Sequence, residues 1–283
     1  PLYSSAASDV YKRQNKDWTL AIRGNITYNK DKWIEGELPE QRYDWMNQYG
    51  QNILGKKGYI AEGLFTQAEI DDMARWESLS QANKATTPKP FASQFGTVKA
   101  GDIKYKDLNS DGVIDDYDKC LIGQGDVPKI YYGFGADLQV GDFSIGALFA
   151  GNAKADRCLG GNAIYPFNDG SGIANLYANI TDRWSADDPT NQDVFYPRLH
   201  HGNNANQNNM KTSTWWQKDV SFLRLKQLTI AYQLPKKFIN QTFLKSARIY
   251  VMGTNLLTFS KFKLWDPELN TNNGTAYPNV RTY

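Results

Sequence analysis

Gly101–Val140, GDIKYKDLNSDGVIDDYDKCLIGQGDVPKIYYGFGADLQV, joins a dense acidic run to the start of a long alternating strand. In its first half Asp107, Asn109, Asp111 and Gly112, then Asp115 and Asp118, follow the calcium-loop spacing D-x-[DN]-x-[DN]-G-x5-E, with Asp118 in place of the final Glu. Oxygen ligands at alternate positions converge on one hard cation when a glycine allows the sharp turn, and the Val113 carbonyl would add a ligand. One expectation is therefore a structural Ca²⁺ held by Asp107, Asn109, Asp111, Val113, Asp115 and Asp118. The other is an array of Asx turns, in which the same side chains bond to their own backbone.

After this loop the period becomes two. Ile130, Tyr132, Phe134, Ala136, Leu138 and Val140 share one face, and Tyr131, Gly133, Gly135, Asp137 and Gln139 the other. A tight turn at Gly141 and Asp142 leads into Phe143, Ile145, Ala147 and Phe149, again alternating with small or polar residues. This predicts a hairpin of two long strands, each of about ten residues, the length of a tilted membrane-spanning strand.

The rest of the chain extends the pattern. Trp18, Leu20, Ile22, Gly24, Ile26 and Tyr28 alternate with polar residues, with aromatics at both ends of the stripe, where membrane interfaces hold Trp and Tyr. Phe222–Leu234 and Arg248–Leu257 read as two further strands, the first stopped by Pro235. Leu20, Ile22, Ile26, Phe134, Leu138, Ile145, Ile230 and Ile249 are expected to face lipid, and Arg23, Asn25, Asp137 and Gln139 the interior. Arginine on the lipid side at the midplane would cost about 2–4 kcal/mol, which disfavours the opposite register. Between the strands lie long aromatic and amide-rich stretches, which in an outer-membrane barrel belong outside the cell. Thr66 and Glu69 form a capping box before Ile70, Met73 and Trp76, predicting a short loop helix over residues 67–79.

Composition agrees with this class. The 283 residues include eight Trp and seventeen Tyr, and the mean hydropathy is −0.60. No apolar run of about eighteen residues occurs, which excludes transmembrane helices but not a barrel, since only half of each strand faces lipid. A formal net charge of +2 without a basic stripe implies no nucleic-acid partner. Residues 1–14, PLYSSAASDVYKRQ, match nothing that follows and look like a non-native leader from sequencing-adapter read-through. The chain is accordingly expected to begin in mid-protein, with residues 15–283 as barrel, and to stop before a closing strand.

The ordered segments GYIAEGLF (58–65), GDIKYKDLNSDGVID (101–115), DVPKIYYGFG (126–135), DRWSADDP (182–189), FYPRL (195–199), SFLRLKQLTIAYQLP (221–235) and ARIYVMGTNLLTFSKFKLWDPE (247–268) carry a family resemblance. Together they resemble the carboxyl-terminal part of SusC/RagA-type TonB-dependent outer-membrane transporters of Bacteroidota. The resemblance implies an all-β transmembrane antiparallel barrel of about twenty-two strands with long extracellular loops. It also implies an amino-terminal plug and a TonB-contacting segment, neither present in this sequence, and a SusD-like surface lipoprotein. The implied localisation is the cell outer membrane, and the implied cargo is glycan or peptide.

No catalytic constellation emerges. His200 and His201 are adjacent and point apart, and Asp187 and Asp188 beside Pro189 suit a turn better than a pair of glycosidase acids. Sugars present flat C–H faces to aromatic rings and hydroxyls to amides. On that chemistry Tyr165, Phe167, Trp184, Asn204, Asn206, Trp215 and Trp216 form a candidate contact set, packing of the loops being the alternative for each. Cys120 and Cys158 lack metal or redox spacing. They flank the hairpin nearly symmetrically, so a disulfide between them is expected in an oxidising compartment. Two other functions fit less of the chain: a secreted calcium-stabilised carbohydrate-binding β-sandwich, and a surface glycosidase.

Overall fold

The computed structural model describes residues 2–14, 17–161, 163–167, 176, 178–200, 207–240 and 243–283, the first stretch by its backbone. Six long strands form one antiparallel sheet: β1 (Leu2–Gln14), β2 (Trp18–Lys30), β3 (Ile130–Val140), β4 (Phe143–Ala153), β5 (Phe222–Gln233) and β6 (Arg248–Ser260). They lie side by side in chain order, so the sheet is an up-and-down meander. No helix among the described residues is long and apolar enough to cross a membrane, which says nothing of strands.

The registers show why the alternation was legible. Ile22 lies opposite Ala136, Leu20 opposite Leu138, Leu138 opposite Ile145, Ile145 opposite Ile230, and Ile230 opposite Val251. One apolar face thus runs unbroken from β2 to β6, and it is bare: Ile22 is 47%, Phe143 60%, Ile230 49% and Val251 70% exposed. Phe134 and Phe149 stack on it at 5.0 Å. The opposite face is polar, with Arg23 of β2 paired to Asp137 of β3 at 2.8 Å. The residues divide between the two faces as the alternation in the sequence put them.

The two ends of the sheet differ. At one end Gly141 and Asp142 turn β3 into β4, and Gly141 N–H donates to the Asp17 carbonyl at 3.0 Å. Gly141 takes a positive φ of 55°, which a tight hairpin turn requires and glycine tolerates. At the other end residues 31–129, the described parts of 154–221, and 261–279 gather into a cap that holds the buried core, while Thr282 returns to bridge Thr254 on the edge of β6. Tyr59, Leu64, Ile103, Tyr105, Tyr196, Trp216 and Phe262 pack together, all outside the long strands. A barrel slab buries no core of its own on its lipid side, so the chain's apolar burial concentrates where water surrounds it.

Within the cap, helix α1 (Gln67–Glu77) starts at the expected capping box: Glu69 N–H donates to Thr66 Oγ1, and Thr66 N–H to the Glu69 carboxylate. Residues 56–65 form two short strands, Lys56–Gly58 and Ala61–Leu64, pairing with Cys120–Ile122 and Ile103–Tyr105. Residues 2–14, set aside in the sequence as a leader, run beside β2 as β1. An open strand edge accepts any extended segment, whatever its origin.

Candidate functional site

The cap is held by a polar knot as much as by its apolar core. Asp102, fully buried, receives a two-pronged bond from Arg198, Nε to Oδ1 and Nη2 to Oδ2, both 3.0 Å. Asn209 Nδ2 donates to the same Asp102 Oδ1 at 3.0 Å, and the Ile103 N–H donates back to Asn209 Oδ1 at 2.9 Å. Trp216 Nε1 closes the knot on the Asn209 carbonyl at 2.7 Å. Segments spread over more than a hundred positions are thereby fixed together. Gly101 sits against the Trp184 ring at a positive φ of 84°, and a Cβ there would lie 2.3 Å from the indole.

The acidic loop adjoins this knot. Asp107 accepts from Ser110 N–H (2.7 Å) and Gly112 N–H (2.8 Å), and Asp111 from Val113 N–H (2.9 Å) and Asn109 Nδ2 (2.8 Å). Asp115 accepts from Tyr117 N–H (2.8 Å) and caps the short helical turn Asp116–Asp118. Asp118, fully buried, accepts from Leu108 N–H (2.7 Å) and Asp115 N–H (2.9 Å), and burial raises its carboxyl above the ordinary carboxylate value. These oxygens accept from N–H groups of their own loop, a geometry that both readings of the loop share, since each carboxylate oxygen has more than one lone pair. Among the described residues no three acidic, histidine or cysteine side chains converge as metal ligands.

The proposed sugar-contact residues divide in three. Trp216 is 1% exposed in the core, with Tyr165 edge-on to it at 5.1 Å, so neither offers an open platform. Trp184 and Trp215 are half-buried, their indole N–H groups bonded to the Pro189 and Phe195 carbonyls, and Phe167 takes a positive φ of 56° in a turn. Asn204, Asn206 and His201 lie outside the described residues. Packing of the cap accounts for the tryptophans, as an aromatic with one polar edge fits a core bounded by backbone carbonyls. Asp187 and Asp188 form a turn with Ser185, as their neighbour Pro189 suggested.

Cys120 and Cys158 are free thiols, and the expected disulfide is not formed. Each is committed to a different short strand pair, Cys120 opposite Gly58 and Cys158 opposite Gln217, a separation that hairpin symmetry did not anticipate. Burial pushes both thiols above their ordinary value, which disfavours the reactive thiolate.

The open space lies on the polar face of the sheet. A cleft of about 500 Å³ occupies the angle between sheet and cap, floored by Gly133 and Ala150 and walled by Tyr131, Asn152, Arg157 and Glu268. A second, of about 560 Å³, lies nearer the tight turns, among Thr19, Asp137, Gln139, Ser144, Gln227 and Arg248. Both volumes are those of ligand sites. The wall of the first is stiffened by charge: Arg224, 1% exposed, pairs with Asp266 and, at 3.2 Å, with Glu268, while Lys226 reaches Glu268 at 2.8 Å. The sequence reading missed this cleft. Its one mark in the sequence is Asn152, next to the last residue of β4.

A meander of long strands with one bare apolar face, one polar face bearing clefts, and a capped end has the form of a stretch of outer-membrane β-barrel wall. The chain is 30% identical over 312 residues to TonB-dependent receptor P26 of Formosa agariphila, covering 99% of this chain and 29% of that receptor. To TonB-dependent receptor P3 of the same organism it is 28% identical over 284 residues, covering 95% of this chain and 26% of the receptor. It therefore spans less than a third of the curated relatives it matches. Among solved structures it superposes on the RagAB peptide transporter with a TM-score of 0.64 at 22% identity, covering 98% of this chain and 27% of that chain. The RagAB peptide importer in its open-open state gives 0.63 at 21%, with 98% and 27% covered. No protein-family model matches. In sequence and fold the chain matches a stretch of the SusC/RagA-type TonB-dependent receptors of Bacteroidota.

Proposed function

We propose that this chain forms part of the wall and outer cap of an outer-membrane importer for oligosaccharides or peptides, working with a SusD-like surface lipoprotein and energised through TonB. The observation that carries the proposal is the two-faced sheet, bare and apolar on one side and polar with two clefts on the other. That arrangement suits a wall between lipid and an aqueous lumen. The names of its relatives support it, since the receptors are TonB-dependent and RagAB imports peptides.

The alternatives fit less well. A β-sandwich buries one face of each sheet against another, whereas Phe143, Ile230 and Val251 lie open. A glycosidase needs two carboxylates free to act on one bond. The cleft's Asp126 and Glu268 are instead engaged by Lys56 at 3.0 Å and Lys226 at 2.8 Å.

Deletion of the full-length gene in its host, with neutral oligosaccharides and peptides supplied in turn as sole nutrient, tests the proposal. Uptake of at least one cargo class should be lost, return with the full-length gene, and stay lost when TonB is disabled. Unimpaired uptake of every class in the deletion strain would overturn it.

A further inference from the structure

We infer that the connection between β5 and β6 is a docking site for anionic phospholipid headgroups of the leaflet on the tight-turn side, which in outer-membrane barrels is the periplasmic side. The inference rests on the sheet being barrel wall and on nothing about cargo. A single cross-strand row, Trp18–Val140–Phe143–Tyr232–Ile249, ends the bare apolar face there. Within it the rings of Phe143 and Tyr232 meet with centroids 4.5 Å apart. Aromatic rows of this kind sit where hydrocarbon gives way to headgroups. Residues 234–247 lie beyond the row, and so at headgroup depth.

This connection presents side chains that a water-facing turn would bury or replace. Its base is pinned, since Leu234 N–H and Gln233 Nε2 donate to the same Ala247 carbonyl at 2.9 and 2.8 Å. Ile239 tucks inward at 5% exposed, whereas Phe238 beside it is 67% and Phe243 96% exposed. Leu244 is open as well, and among these residues stand Lys236, Lys237 and Lys245, all exposed. No Asp or Glu occurs between Asp219 and Asp266. Among the described residues no ion pair joins the three lysines to Asp17 or Asp142 of the neighbouring tight turns. Arg248, by contrast, is spent on the polar face, where its Nη2 donates to Ser144 Oγ at 3.2 Å.

The chemistry selects one kind of partner. Lysine lays its stem along apolar surface and keeps its ammonium in the wet layer, where lipid phosphates lie. Exposed phenylalanines at the same depth enter the boundary between headgroup and acyl chain. Unpaired ammonium groups favour a headgroup with net negative charge, because a zwitterionic one brings its own cation.

The test exchanges the full-length receptor in detergent with equimolar phosphatidylglycerol and phosphatidylcholine of matched acyl chains, and reads the lipids retained by native mass spectrometry. Phosphatidylglycerol should be retained about tenfold over phosphatidylcholine. Lys236→Gln, Lys237→Gln and Lys245→Gln combined should remove most of that preference. Lys30→Gln, Lys32→Gln and Lys261→Gln combined, at exposed positions of the cap end, should leave it unchanged. Heat-modifiable mobility of each variant on gels confirms that the barrel is folded. The inference is overturned if the receptor shows no preference, if the preference survives the first triple substitution, or if it falls equally with the second. Failure of the import reading would show separately, as unimpaired uptake by the deletion strain.

Discussion

Arg224 and Asp266 show how single residues set the behaviour of the cap. Burial alone would raise the Asp266 carboxyl, but its bond to Arg224, with the Glu268 N–H and the guanidinium charge, holds it below its ordinary 3.8. A depressed folded value means the contribution is fully present above the ordinary carboxylate value and is lost as pH falls through the depressed one. Acidification into that range should therefore loosen residues 261–283, seen as faster proteolysis there. Asp266→Asn should remove the pH step and Asp266→Ala should destabilise the cap by about 3 kcal/mol, since it strips a buried arginine of one partner. A wild-type pH step persisting in Asp266→Asn would refute the linkage. At this scale the sequence showed residue types but not their surroundings. The spacing of Asp107 to Asp118 and the turning of those oxygens onto backbone N–H groups were both legible, whereas the burial of Asp118 was not. Trp216 looked like a platform because exposure is not written in a tryptophan.

Elements were far more legible than sites. A period of two over 11 to 13 residues leaves little choice of structure, and β2 to β6 lie where the alternation put them. Helix α1 was equally plain, since Thr66 and Glu69 satisfy each other's backbone donors. The three-residue strands of the cap were not, because each owes its form to a partner far along the chain, as Lys56–Gly58 does to Cys120–Ile122. The facing of the long strands yields a direct expectation. Cysteines placed singly at Ile22, Phe134 and Ile145 in the full-length protein should react with a lipid-phase probe in native membranes. Those at Arg23, Asp137 and Gln139 should react only with a water-soluble one. A lipid-phase signal at position 23 with none at 22 would reverse the assignment.

At the scale of the whole molecule, the sequence identified the class of fold but not where the chain buries its apolar side chains. The cap is one packed body drawn from segments of every long connection: Tyr59 and Tyr105 from the first, Trp216 from the second, Phe262 from the last. This bears on how such receptors can diversify. Loops that merely hang from a barrel can be exchanged one at a time, each answering to its own anchors. In this chain the first, second and last connections share a core, and the Asp102–Arg198–Asn209 knot ties the first to the second, so each is hostage to the others. Chimeras of this chain with a relative such as receptor P26 should fold poorly when residues 31–129 or 154–221 are swapped alone. They should recover when both are swapped with 261–283, as judged by folded-barrel yield in outer membranes. Full yield from every single swap would show the segments to be independent. New cargo preferences would then arise by two routes: point changes in a cleft lining that leave the packing alone, or inheritance of the cap entire, as a cassette.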